Sequence, residues 1–443
     1  MRIKLLLSVI TGFLLSNVSA QSDKVWTLKE CVDYALENNI SVKQSELDKN
    51  SATQDVIAAK WSFAPNLNAS ASQNYNFGSS ISAEGNRISA DFRSNNFGIN
   101  SSVTLFNGFA NIHTLKQAKI GVEAQDAALA KMKNDIALNV VNSYLQILFA
   151  KEQLKVAKSQ LEISEGEVKR VKELVNAGVL PEGDLLTIQS TLASDNQNLV
   201  VAQNAIAIST LQLAQLMQLE EMTIKVEEVD VSLDNQSILT NNVSEFYDKA
   251  STTFPEIKLA ELNISSAEEG VKISKASFYP NLTLSYGLNT VYQHLQGSPD
   301  FVGFNDQLNN NLGNFLGISL NVPIFNRMQF RTNVNKAKIN VERIQYNLET
   351  EKLRLRETIE TAYTDALAAS KSFDASTQSV TAQDKAFEYA RERFAAGAIN
   401  SFEFNQAKNN AVNAQSQLIK AKYDFMFKLK VLEFYYGVPF ITN

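Results

Sequence analysis

The stretch "WSFAPNLNASASQNYNFG", residues 61–78, decides how the chain is read. From Asn66 onward polar side chains fall on even positions (Asn66, Asn68, Ser70, Ser72, Asn74, Asn76), while Leu67, Ala69, Ala71, Tyr75 and Phe77 hold odd ones. A period of two belongs to a strand, whose successive side chains point to opposite faces. The residues before it have helical periodicity. The chain therefore passes, near Pro65, from a helix into a strand with one Asn/Ser face and one apolar face.

The same passage is written twice. "ASFYPNLTLSYGLNT", residues 276–290, sets Pro280-Asn281-Leu282 against Pro65-Asn66-Leu67 at an offset of 215, which also matches Ala35 with Ala250 and Lys60 with Lys275. Further along the offset is 219, pairing Phe106-Asn107 with Phe325-Asn326, Tyr144 with Tyr363 and Gly178 with Gly397. Self-similarity of this kind marks a structural repeat. The expected organisation is a first repeat over 21–219, a linker over 220–242 and a second repeat over 243–443. In the linker, alternating Ile224, Val226, Val229 and Val231 suit a short strand or two.

Each copy reads as helix, strand, strand, long helix, turn, helix. Phe97, Ile99, Val103 and Leu105 alternate with Asn96, Asn100, Ser102 and Thr104. In copy two, Leu282, Leu284, Tyr286 and Leu288 alternate in one strand, and Leu316, Ile318, Leu320, Val322 and Ile324 in the other. Polar loops, "GSSISAEGNRISADFRS" and "QGSPDFVGFNDQLNNN", join the strands of each pair. The long helices run from Asn107 to Asn176 and from Asn326 to Ala395. Each is on the order of 100 Å at 1.5 Å per residue. A coiled-coil seam is visible at Ile147, Ala150, Leu154, Ala157, Leu161, Ser164, Val168, Val171 and Val175. Gly178 and Gly397 suit left-handed helix ends, and Asn400 with Glu403 has capping-box spacing.

Composition narrows the classes. Seven prolines and 17 glycines in 443 residues leave room for long uninterrupted helices. A net charge of −6 without a basic block gives nucleic acid nothing to bind. Arg2 and Lys4 before the apolar run Leu5–Leu15, with Val18-Ser19-Ala20 as a small-residue cleavage site, predict a secretory signal peptide over 1–20. Beyond it no apolar stretch reads as a spanning helix, so any crossing of a membrane must use strands. Cys31, the one cysteine, is not at the start of the mature chain, so no lipid anchor is expected, and its helix context predicts a buried packing thiol. His113 and His294 lack metal-ligand partners, and no phosphate loop, nucleophile elbow or HExxH occurs. The expectation is no enzyme, no cofactor and no metal.

A strand of about 9–11 residues spans a membrane with lipid-facing and lumen-facing residues alternating. Four strands cannot close a barrel alone, and an open edge in lipid leaves backbone groups unsatisfied. The barrel must be shared between subunits, and a trimer would supply twelve strands. On this reading Asn66, Asn68, Ser70, Ser72, Asn74, Asn100, Ser102, Thr104, Thr283, Ser285, Ser319 and Asn321 line a wet lumen. Tyr75, Phe77, Tyr286 and Tyr292 suit an interfacial belt, with Phe301 and Phe304 as loop anchors. Lys116, Lys119, Lys336 and Lys338 are expected to face water.

These landmarks together resemble the TolC-like outer-membrane efflux proteins. The resemblance rests on "WTLKECVDYALENNISVKQSELD", on "APNLNASAS" and "YPNLTLSYG" at helix-to-strand transitions, on "LFNG" and "PIFNR" at the returns, and on the paired "AG" turns. It implies a mixed α and β fold: a long antiparallel α-helical coiled-coil barrel in the periplasm beneath a twelve-stranded outer-membrane β-barrel. It further implies a homotrimer that docks an inner-membrane transporter through a periplasmic adaptor and passively conducts its substrates outward. Carried over from the family, the adaptor-contacting tips are Ala177, Gly178, Val179 and Leu180 with Ala396, Gly397, Ala398 and Ile399. The family's acidic entrance constriction maps to Glu403, with Gln406 at its second position and Asp184 as the acid of copy one. For Glu403 and Asp184, helix capping is an alternative role. Two other classes share long helices and export: a periplasmic coiled-coil adaptor, and a trimeric adhesin or structural coiled coil. An adaptor normally carries one hairpin, and an adhesin places its strands once, near a terminus.

Overall fold

The computed structural model describes residues 24–81, 87–89, 91–220, 224–228, 236–240, 242–295 and 302–437. The signal peptide, Val229, Val231 and Phe301 lie outside them. In chain order the elements are β1 (Val25–Trp26), α1 (Leu28–Asn38), α2 (Ile40–Trp61), β2 (Asn66–Asn76), β3 (Ser79–Ile81), β4 (Arg87–Ser89), β5 (Phe92–Asn107), α3 (Ala110–Asn176) and α4 (Glu182–Met217). There follow β6 (Lys225–Val226), a 3-10 turn (Gln236–Thr240), α5 (Val243–Thr253), α6 (Pro255–Ala276), β7 (Asn281–Leu295), α7 (Phe304–Asn310), β8 (Gly313–Asn321), α8 (Gln329–Ala395) and α9 (Ser401–Tyr435). Contacts divide the chain into two units that each draw on both repeats. One holds the described residues within Met1–Gln44, Lys131–Thr253 and Arg354–Asn443, the other Ser45–Ala130 and Phe254–Leu353.

The opening helix of each copy is broken, which periodicity did not reveal. A capping box starts α1: Glu30 N–H donates to Thr27 Oγ1 at 3.2 Å and Thr27 N–H to Glu30 Oε2 at 3.0 Å. Eleven residues later Asn39 turns extended. Its Oδ1 accepts from Ser41 N–H at 2.9 Å, restarting the chain as α2, and its Nδ2 donates to Leu216 O at 2.9 Å. The equivalent break in copy two is at Phe254, where Pro255 opens α6. Proline lacks an N–H and disfavours helical backbone in the residue before it.

The second unit carries a four-stranded antiparallel sheet in the order β2-β5-β7-β8. The duplication is exact in its register. Asn66 pairs with Ser102 between β2 and β5; shifting these by 215 and 219 gives Asn281 and Asn321, an observed pair between β7 and β8. Each return to a helix uses two consecutive left-handed residues: Gly108 (φ 67) and Phe109 (φ 69) in copy one, Arg327 (φ 52) and Met328 (φ 64) in copy two. Strand β8 stops at Asn321, short of the expected Val322 and Ile324, because Pro323 cannot donate to a ladder. Within the first loop, β3 pairs antiparallel with β4 as a short ribbon. The second contains α7, whose Phe304 packs on Phe97 and Tyr292 at 6.4 and 4.9 Å as the expected anchor. Gln307 and Asn311 side chains bond the backbone of Gln293 and Val291, occupying an edge of β7 that β8 does not reach.

In the first unit the expected seam on α3 is buried or half-buried at every named position. Strand β6 pairs in parallel with β1, so the linker supplies one short strand among the described residues. Tyr144 Oη donates to Glu227 O at 2.8 Å and Lys151 Nζ to Val226 O at 2.9 Å, tying this ribbon to α3. Cys31 is fully buried, and burial pushes its thiol up to about 12. It is a packing residue. One reading needs correction: α4 is long and apolar enough to cross a membrane by length and composition. Its C-terminal turns instead bury Leu213, Ala214 and Met217 within the unit, whereas Leu186, Val200, Val201 and Ile208 are exposed.

Candidate functional site

The register places all twelve polar strand residues named above on one face of the sheet. Rows run directly across it: Asn66–Ser102–Ser285, Asn68–Asn100–Gly287, and Thr104–Thr283–Ser319. The other face holds Leu67, Ile99, Leu284, Leu316, Ile318 and Leu320. Leu67 and Leu316 are 74% and 73% exposed in the single chain. An apolar face this open is not a soluble core; it needs lipid or a partner against it. One aromatic on the polar face escaped the sequence reading. Phe315 lies opposite Gly287, and a Cβ there would meet its ring at 2.2 Å. The aromatic covers the gap that the glycine leaves.

The two tips have the same geometry. At the end of α3, Gly178 (φ 73) donates its N–H to Val175 O at 2.9 Å and Val179 to Leu174 O at 2.9 Å. At the end of α8, Gly397 (φ 70) donates to Phe394 O and Ala398 to Arg393 O, at 3.1 and 2.8 Å. Both are Schellman ends, in which glycine takes the left-handed position without a Cβ penalty. Of the eight tip residues, Ala177, Gly178, Val179, Ala396, Gly397 and Ala398 are exposed. Leu180 and Ile399 differ: they pack on a core of Val171, Ile188, Phe394 and Phe404.

Asn400 caps α9, its Oδ1 accepting from Glu403 N–H at 2.9 Å. Among the described residues no return bond from the Glu403 carboxylate completes the box, and that side chain is exposed, as is Gln406. Asp184 is used differently. Its Oδ1 accepts from Ser401 Oγ at 2.5 Å, linking the starts of α4 and α9, while Pro181 caps α4 without a side-chain bond.

Below the tips lies a cluster that sequence reasoning missed. Lys408 on α9 is 1% exposed; its Nζ donates to Asp195 Oδ2 on α4 at 2.5 Å and to Ser164 Oγ on α3. Ser164 Oγ in turn donates to the same carboxylate at 2.5 Å. The signal was present: Lys408 follows Phe404 and precedes Ala411 at steps of four and three, and Asp195 lies seven residues from both Ile188 and Ala202. Charges at seam positions of two helices are candidates to pair. His113 is also accounted for, its Nδ1 lying 2.7 Å from Glu269 Oε2. Among the described residues no group of three or more His, Cys, Asp and Glu could hold a metal.

Paired strand hairpins with one polar and one exposed apolar face, returning into 67-residue helices, define a channel protein with a β-barrel and coiled coils. The family described as Outer membrane efflux protein matches residues 31–217 and 246–437, and the chain belongs to it. It is an outer-membrane efflux channel of the tripartite efflux and type I secretion class, a transporter and not an enzyme. Protein CyaE of Bordetella pertussis is 23% identical over 88% of this chain and 79% of its own. Outer membrane protein TolC of Escherichia coli is 20% identical over 96% and 84%. The crystal structure of the outer membrane protein VceC from Vibrio cholerae superposes with a TM-score of 0.75 at 16% identity, covering 94% of this chain and 97% of that one.

Proposed function

We propose that three copies of this chain form one continuous duct, docking a periplasmic adaptor and an inner-membrane transporter and passing their cargo through the outer membrane. The observation that carries this is the doubled register. Strands β2 and β8 end the sheet, each with one neighbour. Within the chain, copy one meets copy two through Asn100 opposite Gly287 and Ser102 opposite Ser285. Applying the offsets of 219 and 215 to those pairs sets Ser319 against Ser72 and Asn321 against Ser70 of the next subunit. Polar residues again meet polar residues. The seam joins β8 to a second copy's β2 and closes the barrel, which satisfies both open edges.

In this assembly the twelve named polar strand residues, from Asn66 to Asn321, face the lumen and make a wet, weakly selective path. The apolar face meets lipid. The signal peptide over 1–20 exports the chain without a lipid anchor, and the two repeats, 21–219 and 243–443, meet at the linker over 220–242, with the long helices in the periplasm. Ala177–Val179 and Ala396–Ala398 form the adaptor-docking surface, with Leu180 and Ile399 anchoring it from inside. The exposed Leu186, Val200, Val201 and Ile208 of α4 are covered by neighbouring helices.

The test is a Ser72→Cys/Ser319→Cys variant. Directly opposed strand residues suit a disulfide, whose Cα atoms lie about 4.4–6.8 Å apart. Oxidised in outer membranes, it is expected to run as a covalent trimer on non-reducing gels, whereas Ser70→Cys/Ser319→Cys, two residues out of register, links more slowly. Monomers only, or equal linkage of both pairs, would contradict the seam. Glu403 is the proposed entrance constriction. Glu403→Ala is expected to raise single-channel conductance in planar bilayers, and an unchanged conductance removes that role.

A further inference from the structure

The apolar face of the sheet does not remain apolar to its hairpin end. Ala69 and Ala71 on β2 give way to Gln73 and Tyr75, Ile99 and Phe97 on β5 to Asn95 and Arg93, and Leu288 on β7 to Tyr292 and His294. Tyr75, Arg93 and His294 stand in one row across the three strands. Such a change from aliphatic to aromatic and polar side chains marks the level of lipid headgroups.

A cavity of about 410 Å³ opens at this level, lined by Tyr75, Phe77, Asp91, Arg93, Tyr292 and His294. Its centre is Arg93. The guanidinium lies over the Tyr292 ring at 5.4 Å, and Nη2 donates to Tyr292 Oη at 3.3 Å. Nε is buried and has no hydrogen-bond partner among the described residues. Asp91, the acid of the cavity, does not pair with Arg93: its Oδ1 accepts from Gly78 N–H at 2.7 Å. Tyr75 and Phe77 stack beside the opening at 6.4 Å, 7° from parallel. A guanidinium held by an aromatic wall and not paired with an acid leaves terminal Nη hydrogens for a phosphate oxygen, while the buried Nε is out of a ligand's reach. On the outward face of a barrel the phosphate that reaches it belongs to a lipid.

We propose that this cavity binds the phosphate of a phosphorylated glycolipid of the outer leaflet. Arg93 makes the charge-assisted contact, His294 stands beside it as a second polar partner, and the acyl chains run down the Leu/Ala/Ile face below Tyr75. The proposal rests on the orientation given under Proposed function, with the strand hairpins outside.

The experiment uses the full chain purified in mild detergent and native mass spectrometry. The protein is titrated with bisphosphorylated lipid A, with dephosphorylated lipid A and with inorganic phosphate. Retained binding of the bisphosphorylated lipid is expected, with affinity falling about tenfold in Arg93→Gln, the loss of one charge-assisted contact. Arg93→Lys, which keeps the charge, should retain most of it, and Arg343→Gln, an equal charge change on α8, all of it. His294→Gln is measured beside them in case Arg93→Gln does not assemble, and is expected to bind more weakly than the parent. Equal binding of the dephosphorylated lipid, or undiminished binding by both Arg93→Gln and His294→Gln, overturns the site. Displacement of the lipid by millimolar inorganic phosphate assigns the site to free phosphate and overturns the lipid. Conductance of the same samples separates the two readings: conducting trimers whose lipid binding ignores Arg93 sink this proposal alone, while chains that do not conduct sink the duct itself.

Discussion

Lys408→Ala is expected to destabilise the helical unit by about 3–5 kcal/mol, the range for removing one partner from a buried ion pair. The Lys408 and Asp195 side chains are 2% and 13% exposed, so water screens the pair little. Truncation leaves the Asp195 carboxylate facing Ser164 alone, in a site built around a cation. With an unfolding entropy of about 2.1 cal/mol/K per residue, each kcal/mol moves the midpoint of a 443-residue chain by about 1 °C. The helical circular-dichroism melt in detergent should therefore fall by about 3–5 °C. A Lys408→Met/Asp195→Leu double variant removes both charges together and should recover most of the loss, because apolar replacement of a buried pair is often neutral or better. A single variant that melts with the parent, or a double variant as weak as the single, would show that the cluster is solvated and carries no stability.

The parts of this molecule that sequence made legible are those where one rule acts alone. Alternation placed Asn66 through Asn74 on one face because a strand has only two faces. The doubled landmarks located both hairpins, and the glycines at 178 and 397 marked both tips because φ near +70° there demands them. What stayed hidden depends on partners distant in the chain. The break at Asn39 is stabilised in part by Leu216, far along the sequence. Lys408 on α9 looks like any helical lysine until Asp195 and Ser164 come from two other helices to meet it. Asp184 reads as a capping acid, yet its carboxylate is engaged by Ser401. The cavity around Arg93 needs the register of three strands before Tyr75 and His294 fall in its row.

Gly108→Val is expected to disrupt the strand-to-helix corner more severely than the same change at either tip glycine. All three positions have φ between 67° and 73°, so a β-branched residue is strained at each of them. The left-handed conformation alone costs about 1–2 kcal/mol for a residue with a Cβ. The surroundings separate them. At Gly178 and Gly397 an added Cβ meets nothing within 4 Å, whereas at Gly108 it would sit 2.5 Å from Ala276 O and 2.8 Å from Tyr279 Cβ. Backbone must move, and forced overpacking adds about 1–3 kcal/mol. The corner also sets the β5–β7 register, since Asn107 pairs with Asn281 one residue before the glycine. Displacing it disturbs the in-chain junction from which the proposed seam between subunits is derived. The expected result is loss of heat-resistant trimer from outer membranes for Gly108→Val, with Gly178→Val and Gly397→Val still assembling. Equal assembly of all three would mean that the corner yields freely, and that close packing of Gly108 on Ala276 does not fix how β5 of copy one registers against β7 of copy two.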